Sequence, residues 1–398
     1  MKRRVAILGT GATKNPGTSH ICNSFKELLV KSSYQAINDA GINPNDIEAA
    51  SFSYSGESEV GHGGIAPTLI DALGLAPIPG FVSCANCTSG HVAFVQGYNL
   101  VASGKYDVVL VAGFDKATDV IPFQDYMLLS SDSLYDYNLG FSHFDSVFLQ
   151  KEYFDTYNIS KNVQRAAFLK YAKMARENAS KNPIALGYKK HIPKDEQLEK
   201  MPFCGNLMTT GEGSAALILM SEEKARSIKN NPVYIEDYCY VNTSHYVGHQ
   251  YDLAWDSERK NEAFFIGRPL QYACNKIYKE CEITPKDIGT LQVYDQGVNT
   301  FVSIEAAGLC DIGEGVNYIL EGKGDIDGEC PLNTDGGNIG RGFAGGTAGL
   351  YPIIEIVKQL NGTAEGVKIE HPITYGLSTF VGGGFAHAIA ILLSNKKE

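Results

Sequence analysis

The chain has 398 residues, 44% of them apolar and 20% charged, with a net charge of −11. These are the proportions of a soluble globular protein too long for one ordinary core, so two domains are expected. The acidic balance excludes a nucleic-acid binder with a broad basic face, and the short apolar run after Met1-Lys2-Arg3-Arg4 excludes a signal-peptide core or a membrane span there, so a cytoplasmic chain is expected.

Residues 5–8 read as a buried first strand, followed by Gly9-Thr10-Gly11. A dinucleotide fingerprint would need glycine where Lys14 stands, so that reading is rejected. Residues 25–40 have helical periodicity, stop at Gly41 and lead into a strand over 47–54. Residues 81–113 read strand, turn, helix, strand. Cys87 sits at the strand-to-helix turn in Asn86-Cys87-Thr88-Ser89-Gly90, and the helix from His91 to Ala102 is apolar on nearly every face. A thiol there feels the positive end of the helix dipole, which favours the nucleophilic thiolate. The same helix end offers N–H groups to an oxyanion. Cys84 reads as a packed thiol. The nine cysteines are irregularly spaced and no second CxxC or histidine pair completes a zinc site, so free thiols and no metal centre are expected.

Residues 117–205, rich in Tyr, Asp, Ser and Lys, read as an insertion covering the site. Within it, Tyr188-Lys189-Lys190-His191 and Lys194 are either a solvated charge run or a cradle for an anionic ligand's phosphates. The second half then echoes the first. Ile42-Asn43-Pro44-Asn45-Asp46-Ile47 ends a helix and begins a strand, and Ile283-Thr284-Pro285-Lys286-Asp287-Ile288 does the same 241 positions later (283 against 42). Gly56 and Gly297 keep that offset. Helical stretches precede both copies (25–40 and 267–281), Gly-rich segments opening apolar helices follow (87–90 and 345–349), and each half closes on a glycine and a buried strand (213–219 and 384–390). An echo of this length marks a duplicated α/β domain rather than a solenoid repeat. The expected division is 1–116 with 206–230 as the N-terminal half, 117–205 as an inserted loop domain, and 231–398 as the C-terminal half.

Asn86-Cys87-Thr88-Ser89-Gly90 together with residues 101–116 resembles the nucleophile block of the thiolase superfamily. Tyr135-Asp136-Tyr137, Gly140-Phe141-Ser142-His143, Ser244-His245-Tyr246 and the run from Leu332 to Gly342 extend the resemblance over essentially the whole chain. It is nearest the sterol-carrier and archaeal-type branch, and similar there to the thiolase-like subunit of monoacetylphloroglucinol acetyltransferase. The resemblance implies a duplicated thiolase fold, five-layered αβαβα with an inserted loop domain. It implies that Cys87 takes an acyl group from an acyl-CoA and passes it to a carbanion or to coenzyme A, which is substrate and product rather than a resident cofactor. Lys189 and Lys190 are then candidates for binding CoA. The branch also implies a homodimer of this chain within a hetero-oligomer that includes a small OB-fold/zinc-ribbon partner.

Three family motifs are altered. The Gly-His-Pro histidine that helps deprotonate the nucleophile is replaced by Phe343, and a phenyl ring cannot take a proton. The motif read as Asn-Glu-Ala-Phe or His-Asp-Cys-Phe has its counterpart in Tyr294-Asp295-Gln296-Gly297; a literal Asn261-Glu262-Ala263-Phe264 precedes its helix and is read as an accident. The terminal Cys-x-Gly is absent, and the backbone of Gly383 and Gly384 is the candidate oxyanion hole. His143 is the candidate replacement base, a structural histidine being the alternative. Tyr294 and Asp295 are candidates to donate to, or orient, the thioester oxygen. Phe343 puts apolar bulk in the acyl pocket, which suits a bulky 3-oxoacyl-CoA such as benzoylsuccinyl-CoA. The competing readings are a biosynthetic C-acetyltransferase acting on a phenolic acceptor of the phloroglucinol type, and a non-catalytic thiolase-like scaffold.

Overall fold

The computed structural model describes residues 3–117, 119–122, 125, 128, 130, 143–229, 232–245 and 267–396. The first strand, β1 (Val5–Ala12), leads to helix α1 (Phe25–Ala40), which opens on a reciprocal cap. The Ser24 amide donates to the Glu27 carboxylate at 2.7 Å and the Glu27 amide donates to Ser24 Oγ at 3.4 Å. The helix stops at Gly41, in the left-handed region at φ 69°, as a C-terminal glycine allows. Next come β2 (Ala49–Ser53), α2 (Ala66–Ala72), β3 (Gly80–Ser83), α3 (Ser89–Ala102) and β4 (Val108–Asp115). The insertion contributes α4 (His143–Thr156) and α5 (Lys161–Lys181), and β5 (Gly213–Ser221) returns to the sheet. The second half contains β6 (Val233–Asn242), α6 (Arg268–Glu280), β7 (Ile288–Gln292), α7 (Asn299–Ala306), α8 (Gly315–Leu320), α9 (Leu350–Leu360), β8 (Tyr375–Gly382) and β9 (His387–Ser394).

The described strands form one sheet in the order β3-β2-β4-β5-β1-β6-β9-β8-β7. Read outward from the β1/β6 seam, β1-β5-β4-β2 on one side repeats as β6-β9-β8-β7 on the other. This is the duplication in three dimensions. The sequence echo has a physical basis: Asn43-Pro44-Asn45-Asp46 and Thr284-Pro285-Lys286-Asp287 each form a capped 3-10 turn, with the Asp carboxylate accepting from the backbone amide three residues earlier at 2.9 and 2.7 Å. Ile47 closes the first turn, and β2 runs Ala49–Ser53, shorter than the expected strand, whereas β7 begins directly at Ile288.

Alternation along the strands sorts two cores. Ala6, Leu8, Leu110 and Ile218 face α1 and α2 on one side. Val5, Ile7, Val109, Val111, Leu217 and Leu219 join the larger core on the other. There α3 and α9 pack back to back, so closely that a Cβ on Gly90 would lie 3.0 Å from the Leu350 amide. With α6 outside β6 and β9, the layers run helix, first half of the sheet, helix, second half of the sheet, helix. The insertion lies on the second half. Ala175 and Ala179 of α5 sit against Gly336 and Gly340, and Asn178 and Asn182 donate to the carbonyls of Asn333 and Asp335 at 3.2 and 3.0 Å. Among the described residues, no helix is long and apolar enough to cross a membrane.

Candidate active site

The turn that carries Cys87 is built by its neighbours. Asn86 adopts φ 50°, the Thr88 and Ser89 amides donate to the carbonyls of Ala85 and Asn86 at 3.0 Å each, and Ser89 Oγ accepts from the Ala85 amide at 2.8 Å. Cys87 therefore precedes the N-cap Thr88, and the nearest helix-end amides are already used within the turn. The expected ionised thiol is not what this setting gives. Burial outweighs the helix end and pushes the Cys87 thiol up to about 11, opposed by a hydrogen bond from Tyr294.

Tyr294 follows β7. Its hydroxyl lies 3.6 Å from Cys87 Sγ, with Gln296 Oε1 at 3.4 Å and Met208 Sδ at 3.7 Å. The ring is wedged edge-to-face between Phe343, at 5.9 Å between centroids, and Phe380, at 5.0 Å. Phe380 stacks in turn on His91, at 4.9 Å. His91 is fully buried, its Nε2 lies 2.8 Å from Ser378 Oγ, and burial pushes its pKa down to about 3, so it stays neutral. Burial also keeps Tyr294 well above the usual phenol range, so its proton remains available to donate.

Asp295 is adjacent in sequence but faces the other way, as successive side chains do along extended backbone. Its oxygens accept from Tyr171 Oη at 3.0 Å and from the amides of Asn338 at 2.7 Å and Ile339 at 3.5 Å, and burial pushes its pKa up to about 7. It ties α5 to the loop that carries Phe343. Gly383 and Gly384 lie in the β8–β9 turn at φ 55° and 60°. That turn rests on the nucleophile, since a Cβ on Gly382 would stand 3.4 Å from the Cys87 nitrogen. Lys189 and Lys190 are exposed in the loop after α5, with the Lys189 ammonium 5.0 Å from the Tyr188 ring. Cys84 is exposed rather than packed, because β3 is the edge strand; its Sγ lies 3.3 Å from the Ser55 carbonyl. The side chain of His143, at the start of α4, and Asn261-Glu262-Ala263-Phe264 lie outside the described residues. Sequence reasoning missed Met208 and Gln296. Gln296 stood within a motif already in view, whereas Met208 is brought in by the chain's return after the insertion. Among the described residues, no cluster of three or more His, Cys, Asp or Glu side chains is arranged to hold a metal ion.

A family model described as "Thiolase C-terminal domain-like" matches residues 255–395. Over 410 aligned residues, 99% of this chain and all of its relative, the chain is 30% identical to an acetyl-CoA acetyltransferase of Methanocaldococcus jannaschii. The chain belongs to the thiolase superfamily. This thiolase is also 28% identical over 384 residues to sterol carrier protein 2 of Gallus gallus, covering 92% of the chain and 67% of that protein. Its fold matches that of the solved Ltp2-ChsH2(DUF35) aldolase with a TM-score of 0.76 at 22% identity, over 100% of this chain and 99% of the other. It is therefore an acyl-CoA acyltransferase of the sterol-carrier and archaeal-type branch, with coenzyme A as substrate and product.

Proposed function

We propose that this thiolase cleaves or forms a bulky 3-oxoacyl-CoA through an acyl group carried on Cys87. The observation that supports this most directly is the Tyr294 hydroxyl 3.6 Å from Cys87 Sγ, with Phe343, where the family has its histidine, packed edge-to-face on the Tyr294 ring. Sγ attacks the thioester carbonyl as the thiol proton leaves, the oxyanion collapses, and coenzyme A departs carrying that proton. With the thiol at about 11, only about one in 10,000 is ionised at pH 7, so proton removal is coupled to attack. His143 is the proposed base, Tyr294 donates to the developing thiolate, and the backbone of Gly383 and Gly384 receives the oxyanion. Asp295 acts by holding its loop in place. Lys189 and Lys190, exposed on the insertion, are the proposed CoA contacts.

Phe343 and Phe380 flanking Tyr294 favour an aromatic acyl group over acetyl, as in benzoylsuccinyl-CoA, whose benzoyl group would pass to Cys87 as succinyl-CoA leaves and then to a second coenzyme A as benzoyl-CoA. The aldolase neighbour's name couples Ltp2 to ChsH2(DUF35), which supports a partner chain here, proposed as the small OB-fold/zinc-ribbon protein. A homodimer of this chain, placed in the cytoplasm, completes the proposed assembly.

The test is the mass of the intact protein after incubation with benzoyl-CoA or acetyl-CoA, with and without Cys87→Ala. An acyl adduct that disappears in the variant is expected. No adduct from either donor would overturn the reading in favour of a scaffold. Acylation of a phloroglucinol compound, without condensation of benzoyl-CoA with succinyl-CoA, would replace it with the phenolic-acceptor reaction.

A further inference from the structure

The turn assigned above to the oxyanion is a strained piece of backbone. Gly383, Gly384 and Phe385 follow one another at φ 55°, 60° and 69°, a run of left-handed residues that ends on a side chain disfavouring it. Such a conformation persists only where its surroundings hold it. One support is the Cys87 turn, pressed against Gly382. The other is His245. A Cβ added to Gly383 would lie 2.8 Å from His245 Nε2 and 2.9 Å from its Cε1, so the imidazole fills the space that glycine leaves open. The same Nε2 lies 3.5 Å from Asn86 Nδ2, a packing contact immediately before the nucleophile. His245 thus touches both segments that meet at Cys87.

The imidazole is itself fixed. Its Nε2 lies 2.7 Å from the Ser130 carbonyl, which only accepts, so Nε2 carries a proton and donates whether the ring is neutral or charged. Its ring packs edge-to-face on His387 at 5.8 Å between centroids. His387 Nδ1 lies 2.8 Å from both Tyr240 Oη and Asn242 Oδ1, and Asn242 pairs with His387 across β6 and β9. The support is therefore built on two strands, where positions are held more tightly than on a loop.

We propose that His245 is the positioning residue of the oxyanion site: wedged behind Gly383 and beside Asn86, it holds the β8–β9 turn against Cys87 in the geometry that receives the tetrahedral oxygen. This rests on the reading of Cys87 and the glycine turn given above. The test compares His245→Ala and His245→Gln in the full chain. Single-turnover acylation by acetyl-CoA is followed by intact mass, beside alkylation of Cys87 by iodoacetamide, a reaction with no oxyanion. His245→Ala should acylate roughly 100- to 1000-fold more slowly at saturation, the loss seen when an oxyanion donor is removed. The half-saturating acetyl-CoA concentration and the alkylation rate should be nearly unchanged. His245→Gln, which keeps an N–H at similar reach, should recover most of the rate with the wild-type pH profile.

Wild-type acylation by His245→Ala would overturn the inference and leave the proposed function intact. So would a His245→Gln as slow as His245→Ala, which would make the imidazole a proton carrier instead. If alkylation also fails in the alanine variant, the glutamine variant decides by the same criterion. Failure of the wild-type chain to be acylated at all would remove the proposed function and this inference together.

Discussion

Replacing Tyr294 with Phe removes one hydroxyl and leaves the ring between Phe343 and Phe380, so its effect on Cys87 can be worked out in advance. The hydroxyl donates to sulfur, which favours the thiolate; removing it raises the thiol pKa further and slows any reaction of the thiolate at fixed pH. A hydrogen bond to a charged group contributes about 1.5–3 kcal/mol. This one spans 3.6 Å to sulfur and is shared with Gln296 Oε1 at 3.4 Å, which places it at the low end of that range. About 1.4 kcal/mol is one pKa unit, or roughly tenfold in rate. The assay is the rate of Cys87 alkylation by iodoacetamide as a function of pH, read by the mass of the peptide that carries Cys87, since other thiols such as Cys84 are exposed. In the wild-type chain the rate should climb tenfold per pH unit from neutrality and level off near 11, whereas an ordinary cysteine levels off near about 8.5. Tyr294→Phe should run parallel, roughly tenfold lower. A wild-type plateau below pH 9, or overlapping curves for the two proteins, would refute the account of burial opposed by Tyr294.

His143→Ala should slow acylation roughly 100- to 10,000-fold in the single-turnover mass assay, and an unchanged rate removes it as the base. Gly383→Ala places a Cβ 2.8 Å from His245 Nε2 on left-handed backbone at φ 55°, so acylation should fall while alkylation of Cys87 persists. Glu305→Gln is a stability test with a sign. Burial pushes Glu305 up to about 7 from its ordinary 4.5, so the folded state prefers the protonated acid. The penalty for ionising it is absent below about 4.5 and complete above about 7. Its Oε1 accepts from the Gly315 amide at 2.8 Å and from the Tyr153 hydroxyl, and both contacts can be kept by the carbonyl oxygen of an amide. Urea unfolding should show little change at pH 4 and a gain of about 1–3 kcal/mol at pH 8.

The duplicated architecture was legible because it is written locally. A capped Pro-Asn-Asp or Pro-Lys-Asp turn, a helix stopped by Gly41, and glycines before buried strands each leave a mark in a few residues. Cys87 was found for the same reason, at a strand-to-helix turn. Its ionisation could not be read there, because Tyr294, which lies against it, and Phe343 and Met208, which pack on Tyr294, are all remote in sequence. The direction of Asp295 was hidden similarly: its partners Tyr171 and Asn338 lie 124 and 43 positions away. His245 stood in plain view within Ser244-His245-Tyr246, but nothing near it in sequence says that it would pack on Gly383.

The two altered motifs, Phe343 for histidine and Tyr294 at the head of the other, amount to one change, because the two rings pack edge-to-face at 5.9 Å. Burial holds His91 down to about 3 and His387 down to about 4. An imidazole at position 343, packed as Phe343 is, would be neutral for the same reason and free to accept the thiol proton. A phenyl ring leaves the thiol protonated until substrate arrives. The rings proposed to wall the acyl pocket would therefore also set the nucleophile's state. An acyl group packed against Phe343, as proposed, would expel water from around Sγ, and in drier surroundings the Tyr294 donor would stabilise developing charge more strongly. On the proposed function, selection of a bulky acyl group and activation of Cys87 would draw on the same contacts. Enlarging the pocket at Phe343 should then weaken both together even with His143 in place, which a wall remote from Tyr294 would not do.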